Sequence, residues 1–250
     1  MDLIEAIEKR ISCRSFEACL LDEETFNRIA LEVARINEES GLHFQLYGPR
    51  EDGSVIEMAS GMFSSNPPCY VALVGPTGPE AEERLGRYGE QLILFATQLG
   101  LGTCWVASTY DQATTRVELG EGEKLHCVVP IGYAPTKFPL KQRTLRAGLR
   151  SRDKKLDVLW QGSVPFASAP EWIQAAVIAA QKAPTAVNMQ AYTFVQEAED
   201  APIKAVIPEV ERGLEYIDLG IVKLHFELAA AACGVVGTWE WGSGGAFILA

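Results

Sequence analysis

Leu101-Gly102-Thr103-Cys104-Trp105 closes a long helical pattern over Glu82–Leu99, and Val236-Gly237-Thr238-Trp239 closes another over Leu214–Cys233. Gly-Thr-Cys-Trp is echoed by Gly-Thr-Trp, and the elements ahead of each echo come in the same order. In the first half a helix is predicted over Asp22–Glu39 and strands over Phe44–Tyr47 and Tyr70–Val74. In the second, Ala169–Lys182 reads as a helix, with strands at Tyr192–Gln196 and Lys204–Ile207. The chain looks internally duplicated. The period is far too long for a solenoid, so two fused units sharing one core are expected, although two generic layouts that coincide by chance would give the same pattern.

The chain has 250 residues, 48% of them hydrophobic and 22% charged, which is ample for one large domain or two small ones. A net charge of −11 speaks against a nucleic-acid partner. The opening Met1–Lys9 mixes acids with apolar residues and lacks the cationic and apolar regions of a signal peptide, so a cytoplasmic location is expected. The longest apolar stretches, around Leu92–Val106 and Leu228–Val236, read as buried helices, and no membrane partner is expected. Cys13, Cys19, Cys69, Cys104, Cys127 and Cys233 form no CxxC pair, so buried free thiols are expected and no metal site. His43, His126 and His225 are isolated in sequence and read as structural.

Three segments carry anion or ring chemistry. Arg10-Ile11-Ser12-Cys13-Arg14-Ser15-Phe16 repeats polar donors at every second position. In an extended segment Arg10, Ser12 and Arg14 share a face with Phe16 as anchor. Guanidinium forks and a hydroxyl suit phosphate oxygens, though ordinary surface arginines fit the same spacing. Thr136–Val164 holds Lys137, Lys141, Arg143, Arg146, Arg150, Arg152, Lys154 and Lys155. Such a run reads as a solvated linker or as a second contribution to an anion site, with Arg150-Ser151-Arg152 in the same alternating form. In Ala183-Pro184-Thr185-Ala186-Val187-Asn188-Met189-Gln190, Pro184 stops a helix ahead of a polar turn. Its carboxamides suit a heterocycle edge, or simply their own backbone.

Together these segments resemble the FMN-dependent nitroreductase family over most of the chain. Arg10-x-Ser12-x-Arg14-x-Phe16 is similar to the family's Arg-x-Ser-x-Arg/Lys-x-Phe signature, and Ala183–Gln190 to its Pro-Ser-x-x-Asn-x-Gln-Pro turn. Gly100–Trp105 resembles the segment beside the flavin, Val129–Tyr133 the next strand and Gly-Tyr turn, and Arg150-Ser151-Arg152 the late basic pair. Thr185 and Ala191 stand where Ser and Pro are usual.

The resemblance implies a nitroreductase-like α+β fold in two fused repeats, each with a mainly antiparallel sheet flanked by helices, over residues 1–164 and 165–250. In the family two subunits share each FMN, so the separation of the motifs implies a pseudo-dimer with one intact site. Around Ile36-Asn37-Glu38-Glu39-Ser40 the equivalent turn has lost its pattern. By resemblance, Arg10, Ser12, Arg150 and Arg152 hold the FMN phosphate, and Arg14 is the catalytic residue that stabilises negative charge on reduced flavin. Gly100, Leu101, Gly102 and Thr103 bring backbone N–H groups to the ring, glycine permitting the approach, while a helix cap accounts for Gly100 and Gly102 equally well. Pro184, Thr185, Ala186, Asn188 and Gln190 bind the ring edge or ribityl chain.

The implied function is ping-pong reduction of nitroaromatics or quinones, with NADH or NADPH as donor and no separate dinucleotide fold, since no G-x-G-x-x-G opens a helix. A flavin-sequestering protein without turnover and a specialised reductase such as a dehalogenase are the alternatives. A monomer or weak homodimer is expected. Trp105, Trp239, Trp241 and Phe138 fit pocket walls or core.

Overall fold

The computed structural model describes residues 1–59, 61–208 and 213–250. They form two compact units, one built from Met1, Lys9–Thr77 and Leu92–Gly148, the other from Asp2–Glu8, Gly78–Gln91 and Leu149–Ala250. The sequence reading set a single boundary between residues 164 and 165, whereas these units interleave along the chain. The unit boundaries fall inside two helices, after Gln91 in α3 (Pro79–Gln98) and after Gly148 in α4 (Leu140–Arg150).

The first unit carries α2 (Glu23–Ser40) and a four-stranded antiparallel sheet in the order β1 (Gln45–Tyr47), β2 (Cys69–Pro76), β4 (Glu123–Tyr133) and β3 (Leu101–Thr103). Asp22 caps α2 by accepting the Thr25 N–H at 2.8 Å, and Gly41 ends it at φ +70°. Between these signals Ile29, Val33 and Ile36 make the buried stripe that an amphipathic helix needs. Residues 69–75 of β2 are all buried, as a central strand covered on both faces requires. Phe16, Ile56, Met58, Phe63, Tyr70, Val74, Val106 and Val128 join the core around it.

Asn37, in the segment where the turn motif is lost, has a different task. It donates to the Phe44 carbonyl and accepts the Phe44 N–H, both at 2.8 Å, and so ties the end of α2 to the start of β1. Phe44 is buried, so Asn37→Ala should cost about 1–3 kcal/mol in a chemical denaturation titration. A loss within error would show that water replaces both bonds.

The second unit contains α1 (Leu3–Lys9) up to Glu8, the first turns of α3, α5 (Leu156–Leu159), α6 (Glu171–Gln181) and α7 (Glu215–Ala232). Its sheet runs β5 (Trp160–Gly162), β6 (Thr193–Gln196), β7 (Lys204–Val206), with β5 parallel to β6 and β7 antiparallel. The intervening α6 supplies the crossover that a parallel pair requires. β8 (Gly237–Trp239) and β9 (Phe247–Leu249) make an antiparallel pair. The basic stretch at 136–164 is therefore no linker, since it folds into α4, α5 and β5.

From Ile217 to Phe226, α7 is buried all round, so its polar side chains must find partners inside. Lys223 reaches Glu83 at 2.5 Å and also donates to the Glu240 and Gly242 carbonyls at 2.9 and 3.0 Å. His225 lies between the Ala179 carbonyl and Glu90, both at 3.0 Å. Arg87 forms a two-pronged bridge to Glu227 at 2.8 Å. These pairs lie along one face of the first turns of α3. Gly220 lets them form: a Cβ there would stand 1.9 Å from the Glu83 carbonyl oxygen.

The apolar stretch Leu92–Val106 is not one helix. α3 stops at Gln98, Gly100 turns the chain at φ +79°, and Leu101–Thr103 continue as a strand. The stretch Leu228–Val236 likewise leaves the helix after Ala232, with Gly234 at φ +82°. Among the described residues no helix is long and apolar enough to cross a membrane. All six cysteines are free, and Cys19 and Cys233 are exposed rather than buried. Trp239 is half-buried and packs on Phe194, Phe226 and Phe247.

Candidate functional site

In the first unit the segment after α1 runs beside β3. Ser12 pairs with Thr103 in a parallel bridge, and the Cys13 N–H donates to the Thr103 carbonyl at 2.7 Å. β3 is thus engaged on one edge by β4 and on the other by this segment. The contact explains Gly102, where a Cβ would lie 2.7 Å from the Cys13 Sγ. Gly102 gives Cys13 its close approach, which is a structural use of the freedom expected to serve a flavin. Gly100 takes the helix-ending role.

Arg10, Ser12 and Arg14 lie in the segment that runs beside β3. All three act on the Cys104 thiol: burial pushes it up, while the Arg14 and Arg10 charges and a hydrogen bond from Ser12 pull it down. Cys13 faces the core and is pushed up to about 11 by burial, so it is an inert thiol rather than a nucleophile. Phe16 is buried as the anchor. Gln142 of α4, which is also buried, fixes the backbone between the two arginines. Its Oε1 accepts the Arg14 N–H at 3.3 Å and its Nε2 donates to the Ser12 carbonyl at 3.4 Å. Sequence reasoning missed Gln142, because nothing in an exposed basic helix marks one glutamine as the buried residue. Two guanidiniums and a hydroxyl in one short segment with a held backbone suit an anionic group.

In the second unit, Pro184 ends α6 as expected and the following turn is tightly built. Val187, Asn188 and Gln190 have φ of 46°, 56° and 47°, a conformation unusual for residues other than glycine and most costly for β-branched Val187. Thr185 Oγ1 accepts the Gln190 N–H at 3.0 Å. Asn188 Nδ2 donates to the Leu149 carbonyl and to Asp153, both at 2.8 Å. Gln190 is wholly buried: its Oε1 accepts the Lys154 N–H at 2.7 Å, its Nε2 donates to the Gln181 carbonyl at 2.8 Å, and its carbonyl accepts from Lys154 Nζ at 2.8 Å. Gln190 therefore holds the turn together and offers no carboxamide outward. Arg150 ends a helix and Arg152 lies in the turn after it, so the pair is not an extended alternating segment. Arg152 Nη1 reaches the Val187 carbonyl at 3.3 Å. Asp218, on α7, carries no local signal of its role; it accepts the Ala186 N–H through Oδ2 at 2.9 Å and Oδ1 at 3.1 Å.

The model of the family "Putative TM nitroreductase" matches residues 2–230. The chain belongs to this nitroreductase family. A crystal structure from Thermotoga maritima, described as a "putative nitroreductase", is 19% identical, with 100% of this chain and 93% of that one covered at a TM-score of 0.64. The full chain therefore has a nitroreductase-like α+β fold. A nitroreductase family protein of Clostridium difficile is 19% identical over 59% of this chain and 92% of its own, with a TM-score of 0.43. A Bacteroides fragilis nitroreductase with bound FMN is 18% identical over 56% of this chain and 92% of its own, with a TM-score of 0.41. No curated protein matches the chain.

Proposed function

We propose that this nitroreductase-family chain is an FMN-dependent oxidoreductase that takes electrons from NADH or NADPH and passes them to nitroaromatics, quinones or similar small acceptors in the cytoplasm. The observation that supports the reading is that Arg10, Ser12 and Arg14 all act on the Cys104 thiol from a segment that runs beside β3 and is held by Gln142, in a chain of this family. Arg10 and Ser12 would hold the phosphate by charge-assisted hydrogen bonds. Arg14 supplies a fixed positive charge that favours the more negative, reduced form of the cofactor. Bound FMN supplies two-electron transfer in both directions, so donor and acceptor react in turn.

The same reading assigns Arg150, Arg152, Thr185, Ala186 and Asn188 to flavin binding by resemblance, with Leu101–Thr103 contributing backbone. It also takes the chain as a fused pair of repeats retaining one flavin, acting as a monomer or weak homodimer. Protein purified with FMN should be yellow and should bleach anaerobically on addition of NADH or NADPH, with colour restored by menadione or a nitroaromatic. Colourless protein that takes up no added FMN would refute the cofactor. Extraction should release one flavin per chain, and two would refute the single-site reading.

A further inference from the structure

The turn at Thr185–Gln190 carries three signs of a shape imposed from outside itself. Val187, Asn188 and Gln190 all sit at positive φ. Such residues persist only where surrounding contacts over-determine them, and they gather at ligand clamps. Thr185 and Lys154 hold Gln190 at the far end, Asn188 donates to Leu149 and Asp153, and Arg152 reaches the Val187 carbonyl. At the near end the backbone is held from α7, by the buried Asp218 accepting the Ala186 N–H with both oxygens. Ala186 is the residue from which the left-handed run starts. The Asp218 interaction is the one among these contacts whose strength changes with the charge of a buried group.

We propose that Asp218 is a positioning residue for the ligand-binding turn: its carboxylate grips the Ala186 N–H and keeps Val187 and Asn188 in the shape that flavin binding needs, and its protonation loosens that grip. The inference rests on the FMN reading above. A charged acceptor holds an N–H about twice as strongly as a neutral one, and a protonated carboxyl keeps a single carbonyl oxygen for the purpose. The groups facing Asp218 are the Glu215 carboxylate one turn earlier on α7, the Tyr192 phenol from the segment after the turn, and the Ala186 amide itself. Burial, reinforced by the Glu215 charge and opposed by the Ala186 N–H, pushes the Asp218 carboxyl up to about 7. The gripping form is thus gained within the physiological range.

The sign of the linkage separates this role from a purely structural one. Between the ordinary aspartate value and about 7 the folded chain keeps a proton that the unfolded chain has lost, so stability falls as pH rises through that window. The grip on Ala186 strengthens over the same window. Flavin affinity and fold stability should therefore move in opposite directions, which a merely load-carrying aspartate would not produce.

The test is FMN equilibrium binding to the full chain across about pH 5 to 9, together with the pH dependence of the Ala186 amide resonance in 15N-alanine-labelled protein. In the natural protein FMN binding should tighten roughly five- to tenfold through neutrality, with the Ala186 amide titrating at the same midpoint. Asp218→Asn offers one neutral carbonyl and should bind FMN at the weak, low-pH level throughout, with no titration of Ala186. An Asn variant that keeps the natural profile, or an Ala186 amide that ignores pH in the natural protein, overturns the assignment. FMN that binds the natural protein at no pH overturns the cofactor reading itself, and is distinguishable because the Ala186 titration is read without any flavin.

Discussion

Lys223→Ala should cost about 3–5 kcal/mol of unfolding free energy in a urea titration, among the largest losses available to any single side chain here. Lys223 and Glu83 are 2% and 0% exposed, and the ammonium lies 2.5 Å from the carboxylate. Burial drives the lysine down and the glutamate up, while each holds the other in its charged form. Removing the ammonium strands a carboxylate in the interior and takes the donor from the Glu240 and Gly242 carbonyls. Glu83 would keep only the Gly242 N–H at 2.6 Å. The control is the double variant Lys223→Met with Glu83→Leu, which removes both charges and should recover most of the loss, because a buried pair contributes less than the damage done by halving it. It should not recover all of it, since the Glu240 carbonyl loses its donor, whereas that of Gly242 keeps the Gly245 N–H at 3.1 Å. A single-variant cost below about 1 kcal/mol would mean that water reaches Glu83.

Arg10→Ala and Arg14→Ala should fail in different ways. Arg10→Ala should weaken FMN binding about 10- to 100-fold, the equivalent of losing a hydrogen bond to a charged group, while leaving the potential of bound flavin nearly unchanged. Arg14→Ala should make bound FMN harder to reduce by roughly 20 to 40 mV, since about 1–2 kcal/mol of stabilisation of the reduced form is spread over two electrons. Dialysis measures the first and a redox titration of the flavin absorbance the second. Equal small effects on both readouts would contradict the division of labour. Both side chains pull on Cys104, and Gln142 holds the backbone at Arg14, so Gln142→Ala is expected to blur the two phenotypes rather than copy one.

Much of the fold could be read from local patterns. The helix predicted over Asp22–Glu39 forms at Glu23–Ser40, because Asp22 and Gly41 are signals that act within one turn of the backbone. The predicted strand at Tyr70–Val74 lies within Cys69–Pro76 for the same kind of reason, an unbroken β-branched and apolar run. The alternation of Arg10, Ser12 and Arg14 also needed nothing distant, since an extended chain puts alternate side chains on one face. Arg150-Ser151-Arg152 shows where that argument stops. The spacing is identical, but the residues before it have a helical apolar period, and the helix claims Arg150.

What the sequence determined by itself was most of the helices and strands and the family, because periodicity, caps and side-chain type are properties of neighbours along the chain. Only the tertiary structure decided how those residues are held. Glu83 meets Lys223 across 140 positions, and Gln142 meets Arg14 across 128. Asp218 meets Ala186 across 32. Gln190, which reads as a flavin ligand, spends its carboxamide on Lys154 and Gln181. A polar side chain buried by folding must take the nearest partner that the packed helices and strands present, and which partner that is depends on the closeness allowed at Gly102 and Gly220 rather than on any local pattern.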